Sequence, residues 1–240
     1  LPGVITAGAA QTLIKSQGVL PGRRVILAGS GPFLLPVAAQ LISGGAEVVA
    51  ILEASHPSRW MRRLPSLWGQ WERFGEALEY LKAIHSVDVP IHFGQTIVAA
   101  HGDGFLREVT IAELDAAWRP VPGTKRRLTA DVACIGFGFI PSTQLSRLCG
   151  CAHLYRPEAG GWVVAHDEFQ RTSHPDVFVA GESTGISGAD VAMAQGAIAG
   201  LFAARDLGAI SEAEALHRAA PYRQRLKRLQ PFVTMLRTLF

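Results

Sequence analysis

The 240-residue chain has three cysteines, Cys134, Cys149 and Cys151, too few for a disulfide framework, and a reducing cytoplasm is the compartment that suits it. No C-x-x-C pair occurs, which removes the usual dithiol redox motif. Cys149-Gly150-Cys151 offers two sulfurs where a zinc site takes four ligands, so the cysteines are expected to be structural and no metal is expected. The eight histidines contain no H-x-x-x-H or H-E-x-x-H pair that would set two rings on one helix face. His166-Asp167-Glu168 reads as a solvated turn. Apolar runs stop well short of the roughly 20 residues that a membrane span needs, and Leu1-Pro2-Gly3 does not open a signal peptide. Lys plus Arg exceed Asp plus Glu by only 23 to 20, too slight an excess to argue for a nucleic-acid partner. An initiator methionine is also missing, and the chain is expected to be a processed or excised piece.

What is present is a substantial apolar core, with 48% hydrophobic residues, in a chain long enough for one large domain or two small ones. The pattern is organised around Val25-Ile26-Leu27-Ala28-Gly29-Ser30-Gly31-Pro32, an apolar run that ends in glycines and opens into the apolar-periodic stretch Phe33 to Ile42. A buried strand, a glycine turn and a helix in sequence bring backbone N–H groups and a positive helix end together, the usual setting for a pyrophosphate. Ser43-Gly44-Gly45 stops that helix and Glu47 to Leu52 reads as a second buried parallel strand. Glu53 ends it, about twenty residues beyond the glycines, where a carboxylate can accept from both hydroxyls of an adenosine ribose. Two residues depart from G-x-G-x-x-G. Leu34 stands at the third glycine and keeps the helix further from the first strand, and Pro36 lacks an N–H and crowds the carbonyl of Pro32, which predicts a distorted helix start. A βαβ unit that kept its shape without its ligand is the competing reading.

Before this unit, Val4 to Ala7 reads as the end of a strand that belongs to a different sheet, followed by a helix over Ala9 to Gln17 that Gly18 stops. After it, Trp60, Leu64, Leu67, Trp71, Phe74, Leu78 and Leu81 recur at helical steps, broken near Pro65, and predict a core-facing stripe. Val89 to Phe93, Thr96 to Ala100 and Phe105 to Ile111 predict a small antiparallel meander, with His101 to Gly104 as turn chemistry. Asp131 to Gly136 is another buried strand, returning to the parallel sheet with its end, Gly136, near the nucleotide turn. A second strand, glycine turn and helix follow at Val177 to Asp190, and Ala189, Ala192, Gly196, Ala199 and Gly200 make a stripe of very small side chains, suited either to tight helix packing or to a flat ligand. From Arg218 to Phe240 there are six basic and no acidic residues. Interleaved with Leu226, Leu229, Phe232, Leu236 and Phe240, they predict a helix that docks onto a missing segment or a partner subunit.

Three stretches together resemble the two-dinucleotide-binding flavoproteins of the pyridine nucleotide-disulfide oxidoreductase type. Leu27 to Pro32 with Glu53 is similar to that family's NAD-domain fingerprint, Ile135 to Ser142 to the glycine-and-proline strand that leaves this domain, and Val177 to Gly188 to the late flavin-contacting strand, with Gly181-Glu182 where Gly-Asp is usual. Gln17 to Arg24, Trp118 to Gly123 and Gly160 to Val163 resemble, more narrowly, the α-subunits of opine, proline and sarcosine oxidoreductases and of hydrogen cyanide synthase. The resemblance implies an α/β fold: a Rossmann-like dinucleotide-binding domain, parallel sheet plus antiparallel meander, with partial segments of a second, FAD-type domain. It implies boundaries at residues 1–20 for the end of a first FAD segment and linker helix, 21–141 for the NAD-type domain, 142–205 for a second FAD segment and 206–240 for a basic helical end. It also implies an interior fragment, since nothing like a further G-x-G-x-x-G precedes Val4.

FAD and NAD are the cofactors so implied, with Gly29, Ser30, Gly31, Pro32, Glu53 and Gly136 around the NAD and Gly181, Glu182, Gly188 and Ala189 bordering the flavin. The expected activity is electron transfer from an amino acid or opine oxidised with a partner subunit. Flavin and nicotinamide carry such chemistry, and no acid, base or nucleophile is assigned. A self-contained NAD-dependent dehydrogenase and a non-catalytic scaffold with a vestigial dinucleotide site are the alternatives.

Overall fold

The computed structural model describes residues 1–56 and 71–239, and the chain forms two compact units, Leu1–Gly138 and Phe139–Phe240. In the first unit the elements run β1 (Val4–Thr6), α1 (Ala7–Gln17), β2 (Arg24–Gly29), α2 (Leu34–Ser43), β3 (Glu47–Glu53), α3 (Trp71–His85), β4 (Ile91–Phe93), β5 (Gln95–His101), β6 (Glu108–Glu113), β7 (Arg126–Thr129) and β8 (Val132–Gly136). A five-stranded sheet has the order β1-β8-β2-β3-β4, and all its pairings are parallel. The central strand β2 is buried from Val25 to Gly29 because both of its faces are covered. Val25 and Leu27 alternate toward Ala10, Leu34, Val37, Leu41 and Ile84 in one cluster. Ile26 and Ala28 alternate toward Leu106, Val109 and Ile111 in the other. The unit is therefore three layers: helices, parallel sheet, and the antiparallel β5-β6-β7 meander.

Several expectations change here. β1 pairs with β8, Ile5 opposite Cys134, so it extends the same sheet and does not belong to another. Ile91–Phe93 pairs in parallel with Ile51–Glu53 and leaves the meander. The third meander strand is β7, whose Arg126 and Arg127 gave no apolar alternation to read. Of the stripe predicted after Arg59, Trp60, Leu64, Pro65 and Leu67 lie outside the described residues. The side chains of Trp71 and Phe74 are likewise outside the described set; Leu78 and Leu81 are exposed, and among the described side chains of α3 Ile84 is buried, so its last turns face inward along a line other than the predicted one.

The second unit holds α4 (Gln144–Leu148), a β9–β10 hairpin (His153–Arg156 and Gly161–Val164), a 3-10 turn at Gly181–Thr184, α5 (Ala189–Asp206) and α6 (Glu212–Leu239). The apolar run at Val177 does not become a strand. It makes one isolated antiparallel bridge, Arg171 to Phe178, because no neighbouring strand in the unit lines up along it. Helix α5 buries Val191, Ala194, Gln195, Ile198 and Phe202, and Ile198 and Phe202 meet Ala215 and Ala219 of α6. The basic end is helical, and Leu229 and Val233 pack with Val191 while Leu226 borders the same cluster. Leu226 and Leu229 are thus used inside the unit, where a missing segment or a partner subunit was expected to cover them. Arg225 pairs with Asp190 at 2.7 Å and Arg223 pairs with Glu168. Phe240 lies outside the described residues.

Candidate functional site

The glycine turn begins where β2 and β8 end side by side. A Cβ on Gly29 would lie 1.8 Å from the carbonyl oxygen of Gly136, so no other residue fits without moving a strand. That oxygen accepts the N–H of Ser30 at 2.9 Å, and Gly31 then turns the chain with φ +109°, outside the range of ordinary side chains. Gly136 in its turn gives room to Ala7, since a Cβ there would stand 3.0 Å from Ala7 Cβ, while Leu34 Cδ2 would be at ordinary contact distance, 3.4 Å.

Glu53 is 6% exposed. Its carboxylate lies beneath the turn: Oε2 accepts the N–H of Gly31 at 3.0 Å and Oε1 accepts the N–H of Ser55 at 2.9 Å. A carboxylate has about four acceptor positions, so each oxygen keeps one for a ligand hydroxyl. The main chain fixes the carboxylate from both sides, with Ala54 N–H on the carbonyl of Gly29 at 2.8 Å and Gly94 N–H on that of Glu53 at 2.7 Å. Ser30 is buried and its hydroxyl has no hydrogen-bond partner among the described residues, a polar atom at the turn that a ligand would satisfy. Helix α2 starts irregularly, as Pro36 predicts. Leu34 and Leu35 donate to Gly31 and Pro32, three residues back, at 3.4 and 3.2 Å, and no side chain caps the helix. The glycine turn, the Ser30 hydroxyl and the Glu53 carboxylate have the chemistry to fit the ribose and diphosphate of a dinucleotide.

Gly29, Ser30, Gly31, Pro32, Glu53 and Gly136 come together in this way. Gly181, Glu182, Gly188 and Ala189 are grouped in the second unit. Gly181, at φ +75°, lets α5 approach: a Cβ there would be 3.3 Å from Ala192 Cβ. Gly188 precedes α5 at φ +86° with open space beside it and no side-chain cap, and Glu182 and Ala189 are exposed. Along the small-residue stripe, Gly196 and Gly200 border open space. This helix end, open and uncapped, has the chemistry to face a phosphate.

Sequence reasoning missed Gln195, whose buried Oε1 accepts the Gly181 N–H at 2.8 Å and the Thr184 hydroxyl at 3.1 Å and so shapes the second turn. Its signal was a lone polar residue on the face of α5 that carries Val191, Ala194, Ile198 and Phe202. It also missed an aromatic pair at the end of β8, where Phe137 and Trp118 place their ring centroids 6.3 Å apart. The cysteines do not pair: Cys134 and Cys151 are buried and Cys149 is exposed. Burial in β8 pushes the Cys134 thiol from its ordinary 9.0 up to about 12. Among the described residues no group of three or more His, Cys, Asp and Glu side chains is placed to hold a metal ion, and no helix is long and apolar enough to cross a membrane.

Residues 4–196 match the pyridine nucleotide-disulphide oxidoreductase family. The chain belongs to this family. Hydrogen cyanide synthase subunit HcnB of Pseudomonas aeruginosa is 37% identical over 233 residues, covering 97% of this chain and 50% of that protein. An opine oxidase subunit of Agrobacterium tumefaciens strain Ach5 is 33% identical over 88% of this chain and 41% of its own length. The chain thus spans about half the length, or less, of these curated relatives. Among solved structures, T. acidophilum thioredoxin reductase superposes with a TM-score of 0.52 at 18% identity, over 95% of this chain and 57% of that one, which shows the shared fold. The parallel sheet and glycine turn place this family member with the Rossmann-like proteins.

Proposed function

We propose that this chain is part of a subunit of an FAD- and NAD-linked oxidoreductase, in which electrons leave an amino acid or opine oxidised together with a partner subunit. The observation that carries the reading is the Gly29–Gly31 turn with Glu53 bonded beneath it and a buried Ser30 hydroxyl that has no partner among the described residues. The kinship with two proteins named as enzyme subunits supports the heteromeric part.

In this reading the second-unit residues Gly181, Glu182, Gly188 and Ala189 border the flavin, and the first-unit turn holds NAD. Nicotinamide supplies hydride chemistry and flavin the passage of electrons onward, so the protein's share is position and electrostatics. Glu53 orients the ribose through its two remaining acceptor positions, Ser30 donates to an oxygen of the diphosphate, and Gly29 and Gly136 keep the backbone close enough for both. No proton is assigned to any side chain. Free thiols at Cys134, Cys149 and Cys151 suit a cytoplasmic setting.

A non-catalytic scaffold is the second reading, favoured by the loss of two N–H groups to Pro32 and Pro36 and of a third to Glu53. Reduction of an artificial electron acceptor by an amino acid or opine, in a preparation that contains the partner subunit, tests the proposal. Reduction of NAD by the substrate on the chain alone, with neither flavin nor partner subunit added, would instead favour a self-contained NAD-dependent dehydrogenase.

A further inference from the structure

We propose that Trp118 and Phe137 form the seat of the non-adenine ring of the dinucleotide, a partly exposed aromatic pair that receives a nicotinamide at the carboxyl edge of β8. The inference deepens the reading above and rests on it. Its starting observation is backbone strain. Trp118 has φ +60°, a conformation that bulky residues seldom adopt and that glycine adopts freely. The loop enforces it. Asp115 Oδ1 accepts the N–H groups of Ala117 and Arg119, both at 2.8 Å, while Trp118 N–H donates to the Asp115 carbonyl and Asp115 N–H to that of Arg119, each at 2.9 Å. A strained aromatic residue in place of a relaxed glycine points to a use for its ring.

The ring is not in a core. Trp118 is 39% and Phe137 50% exposed, and their planes are tilted by 56°, so each ring keeps part of its surface open to a ligand. The position fits the ligand. Phe137 directly follows Gly136, whose carbonyl holds the Ser30 N–H at 2.9 Å. From β2 the chain proceeds to β3 on one side, while β8 lies on the other. The point where strand order reverses is therefore between β2 and β8, and ligands of open α/β sheets lie across that point. With the adenosine ribose at Glu53, on the β3 side, the diphosphate crosses the turn and the second ring falls on the β8 side, where the two aromatic rings are.

The test is calorimetric titration of the 240-residue chain and of W118G, W118F and F137A with NADH and with ADP-ribose, which lacks the nicotinamide, after thermal melting has shown each variant folded. Aromatic stacking of this kind predicts that W118G and F137A weaken NADH roughly 2- to 10-fold, leave ADP-ribose unchanged, and that W118F restores most of the loss. NADH affinity unchanged in folded W118G overturns the proposal and leaves the dinucleotide reading standing. Equal losses for NADH and ADP-ribose overturn it as well, since they mark a disturbance of the whole turn. If neither ligand binds the unaltered chain, the reading beneath it fails and the proposal with it.

Discussion

Replacing Glu53 with glutamine isolates what the buried carboxylate does. Both oxygens accept main-chain N–H groups, from Gly31 at 3.0 Å and Ser55 at 2.9 Å, in a residue only 6% exposed. An amide has one acceptor oxygen, so E53Q keeps one of the two bonds and turns an NH2 group toward the other donor. Hydrogen bonds to charged groups contribute about 1.5–3 kcal/mol net, and a buried donor left unmet costs a similar amount. The loss should be about 2–3 kcal/mol. For a chain of this size each kcal/mol moves the melting midpoint by roughly 2–4 °C, which gives a fall of roughly 4–12 °C for E53Q by circular dichroism. E53D keeps the charge on a shorter arm, reaches one donor well and should fall between the two. An E53Q midpoint equal to that of the unaltered chain would refute the idea that Glu53 holds the glycine turn closed.

Three further outcomes follow from the structure. G29A places a methyl group 1.8 Å from the Gly136 carbonyl oxygen, so β2 and β8 must separate; a loss of more than about 3 kcal/mol in urea unfolding is expected, and a stable G29A protein would contradict the strand contact. The Cys134 thiol titrates near 9.0 when unfolded and at about 12 when folded, so above pH 9 the unfolded state releases its proton first. The stability that this thiol contributes is complete below pH 9 and declines as pH rises toward 12, by up to about 4 kcal/mol, and C134A should flatten that decline in a pH series of denaturant melts. At neutral pH a thiol reagent should label the native protein at Cys149 alone.

The parts of the fold that were legible were those buried on both faces. The apolar runs at Val25, Glu47 and Asp131 could only be central strands, and all three lie in the parallel sheet. The edges were harder. A three-residue strand such as Ile91–Phe93 has no period that separates parallel from antiparallel pairing, and β7 carries arginines because it is an edge. Val177 to Ala180 has the composition of a strand, yet strand formation needs a neighbour in register, which sequence does not display. At the site, the glycines and Glu53 were found by spacing. That the carboxylate of Glu53 is bonded to its own turn could not be read, since any acidic residue at that position gives the same pattern. The positive φ of Trp118 is set by the Asp115 side chain through local bonds, and no glycine or asparagine marked the position.

The central claim is that the turn from Gly29 to Pro32, with Glu53, holds NAD. Calorimetric titration of the chain with NADH and with NADPH tests it most directly. Saturable one-to-one binding of NADH is expected, clearly weaker binding of NADPH because the Glu53 carboxylate meets the 2′-phosphate, and loss of the NADH signal in folded E53Q. Absence of NADH binding, or equal or tighter binding of NADPH, would contradict the account.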